Sequence, residues 1–396
     1  MDSVSIASIF RDHGPAWRDA HQGHLSLWQL KVMSAIERCR SAELGGHAWC
    51  CPQCGHTHIA YNSCRNRHCP TCQAVASRRW LEDRQAELLP VEYYHVVFTL
   101  PAPIADIAYQ NKAVVYHLLC KITAQTLLTI ARDPKHLGAR IGITMVLHTW
   151  GSAMTHHPHV HCVIPGGGLA LDSDDWVNCK RGFFLPVRVL SRLFRRLFIS
   201  ALEAAYEAGQ LCFHGHLASL SKPVAFQQWL QPCRHKDWFV YAKRPFAGPE
   251  AVLTYLSRYT HRVAIANSRL IACDGKTVTF RWKDYRAKGA KRHKTMALSV
   301  DEFIRRFLLH VLPRGFHRIR YYGFFANTVR RDGLARARVA LNVPLAESMV
   351  EGGHADGDKQ SLNAVFPCPH CGTPMILFGV VISQPTARGP PRAMVA

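Results

Sequence analysis

Residues 141–168 read IGITMVLHTWGSAMTHHPHVHCVIPGGG. The first ten, Ile141 to Trp150, and the run His159 to Pro165 are rich in β-branched and large apolar residues. A short GSAMTHHP segment joins them, so an antiparallel pair of strands is expected. His157, His159 and His161 alternate with Pro158, Val160 and Cys162. Strand side chains alternate between faces, so these three imidazoles point the same way. Two readings follow. The face is the polar outer side of a sheet, or it is a metal site, since neutral imidazole is a common ligand. Gly166, Gly167 and Gly168 allow a tight turn or a close approach of another molecule to the backbone.

Working outward, strands and helices alternate irregularly. YYHVVFTL (93–100) is aromatic and β-branched and stops at Pro101. Helical spacing covers 24–41, the stretch ASRRWLEDRQAELLP, roughly 103–132, and 185–209. DWFVYAKRPF (237–246) reads as a strand. Gly248-Pro249-Glu250 then opens a helix with proline in its first turn. RLIAC and KTVTFRWKDY pair across Asp274-Gly275, a hairpin signal. Ser299 and Glu302 predict a capping box before EFIRRFLLHVL. Locally paired strands separated by long helices predict an α+β fold, a central, mostly antiparallel sheet flanked by helices. A small cysteine-rich module precedes it. The expected division is 1–90 for that module, 91–335 for the sheet domain, and 336–396 for a tail that ends in disorder.

The formal net charge is +22, with 49 Lys and Arg against 27 Asp and Glu. Such a surface attracts polyanions, and nucleic acid is the commonest in a cytoplasm. From Arg281 to Arg338 sixteen Lys or Arg face four Asp or Glu. Aromatic residues, Trp282 and Tyr321 among them, are interleaved with these charges, as in surfaces that track phosphates and stack bases. The sequence shows no secretion signal and no run of about 18 apolar residues. A cytoplasmic protein without a membrane span is therefore expected.

The 15 cysteines are then read as metal ligands rather than disulfides. Cys51-Pro-Gln-Cys54 and Cys69-Pro-Thr-Cys72 are two Cys-x-x-Cys turns in the spacing C-x2-C-x14-C-x2-C. Together they predict one closed, structural Zn²⁺ site. Cys50, Cys64 and His68 lie inside the cluster as substitutes or as ligands of a second ion. Arg65, Arg67, Arg78 and Arg79 beside it suggest contact with DNA. A further knuckle, Cys368-Pro-His-Cys371, has no second half nearby. It is half of a site completed by distant residues or by a second copy of the chain, or it is empty.

Residues 249–264 read PEAVLTYLSRYTHRVA. Tyr255 and Tyr259 are four apart and share a helix face. At ~100° per residue, Val252, Leu256 and Val263 define an apolar stripe. Tyr259 falls at its edge and Tyr255 further out, toward Arg258 and Arg262. Spacing alone favours core aromatics. The position at a basic border also suits hydroxyls presented to a phosphate.

SCRNRHCPTCQ, HTWGSAMTHHPHVHCVIPGGG, YLSRYTHRVAIAN and FLLHVLPRGFHRIRYYG together resemble the bacterial insertion-sequence transposases that move by rolling-circle transposition. These are the two-tyrosine branch of the HUH endonucleases. The resemblance runs from about His24 to Ala326. It implies that His159 and His161 hold a divalent ion, Mg²⁺ or Mn²⁺, and that Tyr255 and Tyr259 are the nucleophile pair. The third ligand is open among His157 on the same strand face, His148 on the neighbouring strand and Asp284. The resemblance also implies nicking and rejoining of single-stranded DNA at element ends through a 5′-phosphotyrosine. Arg258, Arg262, Arg281, Lys283 and Arg286 are the expected DNA contacts, and a homo-oligomer is compatible with this reading.

Three other readings are set against it. A plasmid relaxase or rolling-circle replication initiator shares the chemistry but lacks the cysteine module. A zinc-containing DNA-binding regulator explains the charge but leaves the histidines and tyrosines as coincidence. A zinc hydrolase built on the three histidines needs an acidic base that no residue flanking the motif supplies.

Overall fold

A computed structural model of the chain describes residues 4–243, 249–260, 263–284, 287, 289–343 and 366–383. The chain opens with helices α1 (Ile6–Ala20) and α2 (Leu27–Glu37), then strands β1 (Gly46–Cys50) and β2 (Thr57–Tyr61). Helix α3 (Gln73–Ala86) and strand β3 (Tyr93–Thr99) follow. Helices α4 (Ala102–Gln110) and α5 (Lys112–Arg132) come next. Then come β4 (Ala139–Arg140), β5 (Gly142–Trp150), β6 (His156–Pro165), β7 (Gly167–Ala170) and β8 (Trp176–Asn178). Helices α6 (Val187–Glu207) and α7 (Pro223–His235) lead to β9 (Val240–Lys243) and α8 (Pro249–Thr260). The remaining elements are β10 (Leu270–Cys273), β11 (Thr277–Lys283), β12 (His293–Ser299), α9 (Val300–Leu309), β13 (Ile319–Gly323), α10 (Arg330–Ala340), β14 (Phe366–Pro367) and β15 (Pro374–Val381).

Two units emerge. One joins residues 1–73 to residues 347–396; the other spans 74–346. In the first, Ser5 and Ser26 open α1 and α2 with capping boxes closed by Ser8 and Gln29. Its sheet has the order β14-β15-β1-β2, so strands from both ends of the sequence hydrogen-bond side by side. Residues 366–381, expected in a tail, are thus strands, paired to β1 from Gly46–Val381 to Cys50–Ile376. The last residues, 384–396, lie outside the described residues.

The second unit is built on a five-stranded sheet, β13-β5-β6-β3-β9, in which every neighbouring pair is antiparallel. The fold is α+β, as the sequence implied. Met145, Leu147, Val160, Cys162, Val96 and Phe98 alternate onto one face, under α4 to α7. Phe194 and Phe198 of α6 and Phe226 of α7 fill that core. The opposite face receives α3 and α8, where Trp80 and Leu253 pack against Tyr93 and Val163. Helix α5 is long and apolar enough to cross a membrane. More than half of that stretch is buried inside this core.

Local signals explain several boundaries. Asp274 accepts hydrogen bonds from the backbone N–H groups of Lys276 and Thr277, at 2.9 and 2.6 Å, and closes the β10–β11 hairpin. The predicted 103–132 helix is broken at Asn111, whose side-chain amide donates to the carbonyls of Ile107 and Cys212. The Ser299 capping box is only half made. Ser299 Oγ accepts from Glu302 N–H at 3.3 Å, but the Glu302 carboxylate turns to Arg305 and Arg306. Those two guanidiniums outbid the cap's backbone N–H and hold the carboxyl at a pKa of about 2. Gly166 bends the chain between β6 and β7, and Gly167 and Gly168 leave no open backbone. A Cβ on Gly167 would meet Trp176 Nε1 and the Val177 carbonyl at 2.5 Å, and one on Gly168 the Arg140 carbonyl at 2.5 Å. Their small size lets β7 run against its own neighbours.

Candidate active site

The β5–β6 register sets His148 opposite His159 and Val146 opposite His161. Period-two alternation puts His148, His159 and His161 on the α3–α8 face of the sheet. Their ring nitrogens offer ligand atoms that all lie within 4.8 Å of one another. Of the three candidates for the third ligand, His148 is in this group and His157 is not. It is exposed at the strand's start, and His148 on the adjacent strand takes its place. The reason is geometric. His157 lies four residues from His161, about 13 Å along the strand, whereas His148 faces His159 across the ladder and is diagonal to His161. Asp284 is instead paired with Lys294 at 2.8 Å.

Partners fix the ring orientations. The carbonyl of His157 accepts from Nδ1 of His159 at 2.6 Å, which leaves the His159 Nε2 lone pair for an ion. Nδ1 of His161 lies 2.7 Å from Nε2 of His95, a strand β3 residue whose ring stacks on it. His95 was not singled out in the sequence, although its place in YYHVVFTL carries the same period-two signal. Burial lowers the pKa of His159 and of His95 to about 4 and holds that of His161 well below the ordinary range. His159 and His161 are therefore neutral at physiological pH, the protonation state a metal requires. Three imidazoles without a carboxylate suit Mn²⁺ or another borderline cation better than Mg²⁺, which prefers oxygen.

Helix α8 carries Tyr255 and Tyr259 on the face of the sheet that holds the histidines. The side chains of Tyr255, Tyr259, Arg258, Arg262 and Arg286 lie outside the described residues. Among the described residues of α8, Leu253, Ser257 and Thr260 are buried. Of the stripe read in the sequence, Val263 is buried, and the side chains of Val252 and Leu256 lie outside the described residues. Contacts among the described residues help seat the helix. Leu253 packs on Val163, Ser77 Oγ donates to the Ser257 carbonyl, and Arg318 donates to the Thr260 carbonyl at 3.1 Å. The Arg318 guanidinium also lies 5.9 Å from the centre of the Trp150 ring. Trp150 stacks on His148 at 4.8 Å. A continuous chain of contacts therefore runs from the end of α8 to the histidine cluster. Arg318 and Trp150 had no sequence signal, because their roles exist only across elements. Arg281 and Lys283 are exposed and share one face of β11. Phe280, on its other face, is buried against Phe303 of α9.

The cysteines divide differently from the sequence reading. Cys69 and Cys72 group with Cys39 and Cys64, while Cys51 and Cys54 group with Cys368 and Cys371. The single Cys51–Cys54–Cys69–Cys72 site is thus corrected to two groups. The β1–β2 hairpin carries one knuckle and the turn before α3 the other, and each finds nearer sulfurs elsewhere. Cys39 Sγ lies 3.4 Å from Cys72 and 3.5 Å from Cys69, and Cys64 lies 3.5 Å from Cys72. Cys39 went unnoticed because it stands alone at a helix end. Buried His68 bonds to Asn66 and joins neither group.

Residues 142–332 match the family described as "Putative transposase", and residues 9–100 the family described as "Transposase zinc-binding domain". "Putative transposase y4qJ" of Sinorhizobium fredii (strain NBRC 101917 / NGR234) is 54% identical over 391 residues, 98% of this chain and 97% of that protein. The chain belongs to the transposase family. A second member, "Transposase for insertion sequence element IS801" of Pseudomonas savastanoi pv. phaseolicola, is 26% identical over 372 residues, 93% of this chain and 87% of the relative. No solved structure matches. As a transposase the chain acts on DNA, and its N-terminal cysteines fall in a domain of zinc-binding type. The relaxase and regulator readings have no counterpart in these matches.

Proposed function

We propose that this transposase nicks and rejoins single-stranded DNA by tyrosine attack at a histidine-held divalent cation, in a rolling-circle mode of transposition. One observation carries the reading. The three-imidazole group and the helix bearing Tyr255 and Tyr259 occupy the same face of one sheet. His148, His159 and His161 would hold the ion, and the ion would draw charge from the scissile phosphate's oxygens. A phenol oxygen of Tyr255 or Tyr259 attacks phosphorus as its proton leaves. The bond to the departing 3′ oxygen breaks, giving a 5′-phosphotyrosine and a free 3′-hydroxyl. The energy of the phosphodiester is conserved for rejoining. The second tyrosine serves a second junction. Arg258, Arg262 and Arg286 would contact phosphates near the reaction, and the exposed Arg281 and Lys283 would track the strand beyond it. The cytoplasm, where the DNA lies, is the expected compartment.

The test is a labelled single-stranded oligonucleotide carrying an element end, incubated with Mn²⁺ and then denatured. A protein–DNA adduct is expected with the native chain. It should vanish when Tyr255→Phe and Tyr259→Phe are combined. Cleavage that survives loss of both phenols would overturn the reading in favour of hydrolysis.

A further inference from the structure

We infer that Cys51, Cys54, Cys368 and Cys371 form a second zinc site, a ribbon whose halves come from opposite ends of the chain. The zinc-binding family match ends at residue 100 and cannot contain it. The two halves have nearly the same sequence, Cys-Pro-Gln-Cys-Gly at 51–55 and Cys-Pro-His-Cys-Gly at 368–372.

They also fold alike. The N–H of Cys51 donates to the His56 carbonyl at 2.8 Å, and the N–H of Gly55 to the Cys51 carbonyl at 3.0 Å. The N–H of Cys368 donates to the Thr373 carbonyl at 2.8 Å, and the N–H of Gly372 to the Cys368 carbonyl at 2.8 Å. Gly55 and Gly372 both take positive φ, +69° and +75°, in the turn after the second cysteine. Each knuckle is the tip of a hairpin, β1–β2 or β14–β15, and β1 pairs with β15.

Contacts across the pair are exchanged in the same symmetric way. In each half, the residue after the glycine meets the residue between the two cysteines of the other. His56 stacks on His370 at 4.4 Å, and Thr373 Oγ1 hydrogen-bonds to Gln53.

Sulfur spacing identifies the ligand. Cys51 and Cys371 are 3.4 Å apart, Cys54 and Cys368 3.6 Å, and Cys54 and Cys371 3.7 Å. Four sulfurs about 2.3 Å from one zinc ion sit about 3.8 Å from each other. A disulfide would need about 2.0 Å. Cys51 and Cys368 are buried with Met375, and Cys54 and Cys371 are exposed, so an ion has a dry side and a route of entry. The set is closed, with no position for substrate, and its role is to tie the C-terminal strands to the N-terminal module.

Zinc-dependent protection from alkylation, read per cysteine by mass spectrometry on the full chain, tests this without counting any ion at the histidines. With zinc, all eight cysteines of the two groups should be protected, and a chelator should expose them. Cys368→Ser with Cys371→Ser should expose Cys51 and Cys54 and leave Cys39, Cys64, Cys69 and Cys72 protected. Cys51→Ser with Cys54→Ser should expose Cys368 and Cys371 in the same way. In Co²⁺-loaded protein, either double variant should halve the thiolate charge-transfer absorbance. Continued protection of Cys51 and Cys54 in the first variant would overturn the inference, as would free alkylation of Cys368 and Cys371 in the zinc-loaded native chain. Loss of protection at Cys39, Cys64, Cys69 and Cys72 as well would also overturn it, because the groups would then not be separate sites.

Discussion

His148 and His157 differ little as residues, since both are imidazoles beside His159. Their positions separate them. His148 is cross-strand from His159 and offers a ligand atom to the cluster, whereas His157 offers its backbone carbonyl to the His159 ring. His148→Ala should therefore lower the rate of oligonucleotide-adduct formation by more than about a hundredfold, because losing a ligand exceeds the tenfold to hundredfold loss typical of outer partners. His157→Ala keeps the carbonyl and should retain most of the activity. Equal loss in both variants, measured at saturating Mn²⁺, would contradict this division of roles.

At the scale of elements, the glycine run after β6 shows how backbone approach shapes the site's surroundings. Gly166 N–H donates to the Glu92 carbonyl at 2.6 Å, and Gly167 and Gly168 lie against β8 and β4. Gly168→Ala would push a methyl group onto the Arg140 carbonyl. It should cost about 1–3 kcal/mol of stability, as overpacking does. A lowered urea midpoint with DNA binding intact in the folded protein is the expected outcome. If these glycines served DNA approach instead, the substitution would weaken oligonucleotide binding and leave the midpoint alone. Elements also place α8, since Leu253, Ser257 and Thr260 seat it while Arg318 connects it to the histidine side through Trp150.

For the molecule as a whole, buried neutral histidines make stability depend on pH. Burial lowers the pKa of His95 and His159 to about 4 and of His156 and His310 to about 3. These folded values lie below the unfolded value of about 6.5. Below pH 6.5 the unfolded chain therefore binds more protons, and stability falls with pH. The contribution is complete above about pH 6.5 and is lost as pH drops toward 4 and then 3. Each histidine adds a slope of up to about 1.4 kcal/mol per pH unit inside that window. Thermal melts of the metal-free protein should be flat from pH 8 to 7 and fall steeply from 6 to 4. A midpoint that rises on acidification would contradict the buried, neutral assignment.

Local chemistry made much of this legible in the sequence. Period-two histidines, the Asp274-Gly275 turn, the Cys-x-x-Cys knuckles and the alternation of strands with long helices each act over a few residues. They were enough for the α+β class, the histidine strand and the metal-binding character of the cysteines. The structure has Tyr255 and Tyr259 on one helix, as their spacing implied. What required tertiary structure was partnership across distance. His148 joined the cluster through strand pairing, and His95 and Arg318 acquired roles through contacts with other elements. The C-terminal knuckle found its other half more than 300 residues away in sequence, at Cys51 and Cys54. Ligand spacing along a chain limits which sulfurs can share an ion, but strand register decides which of them do.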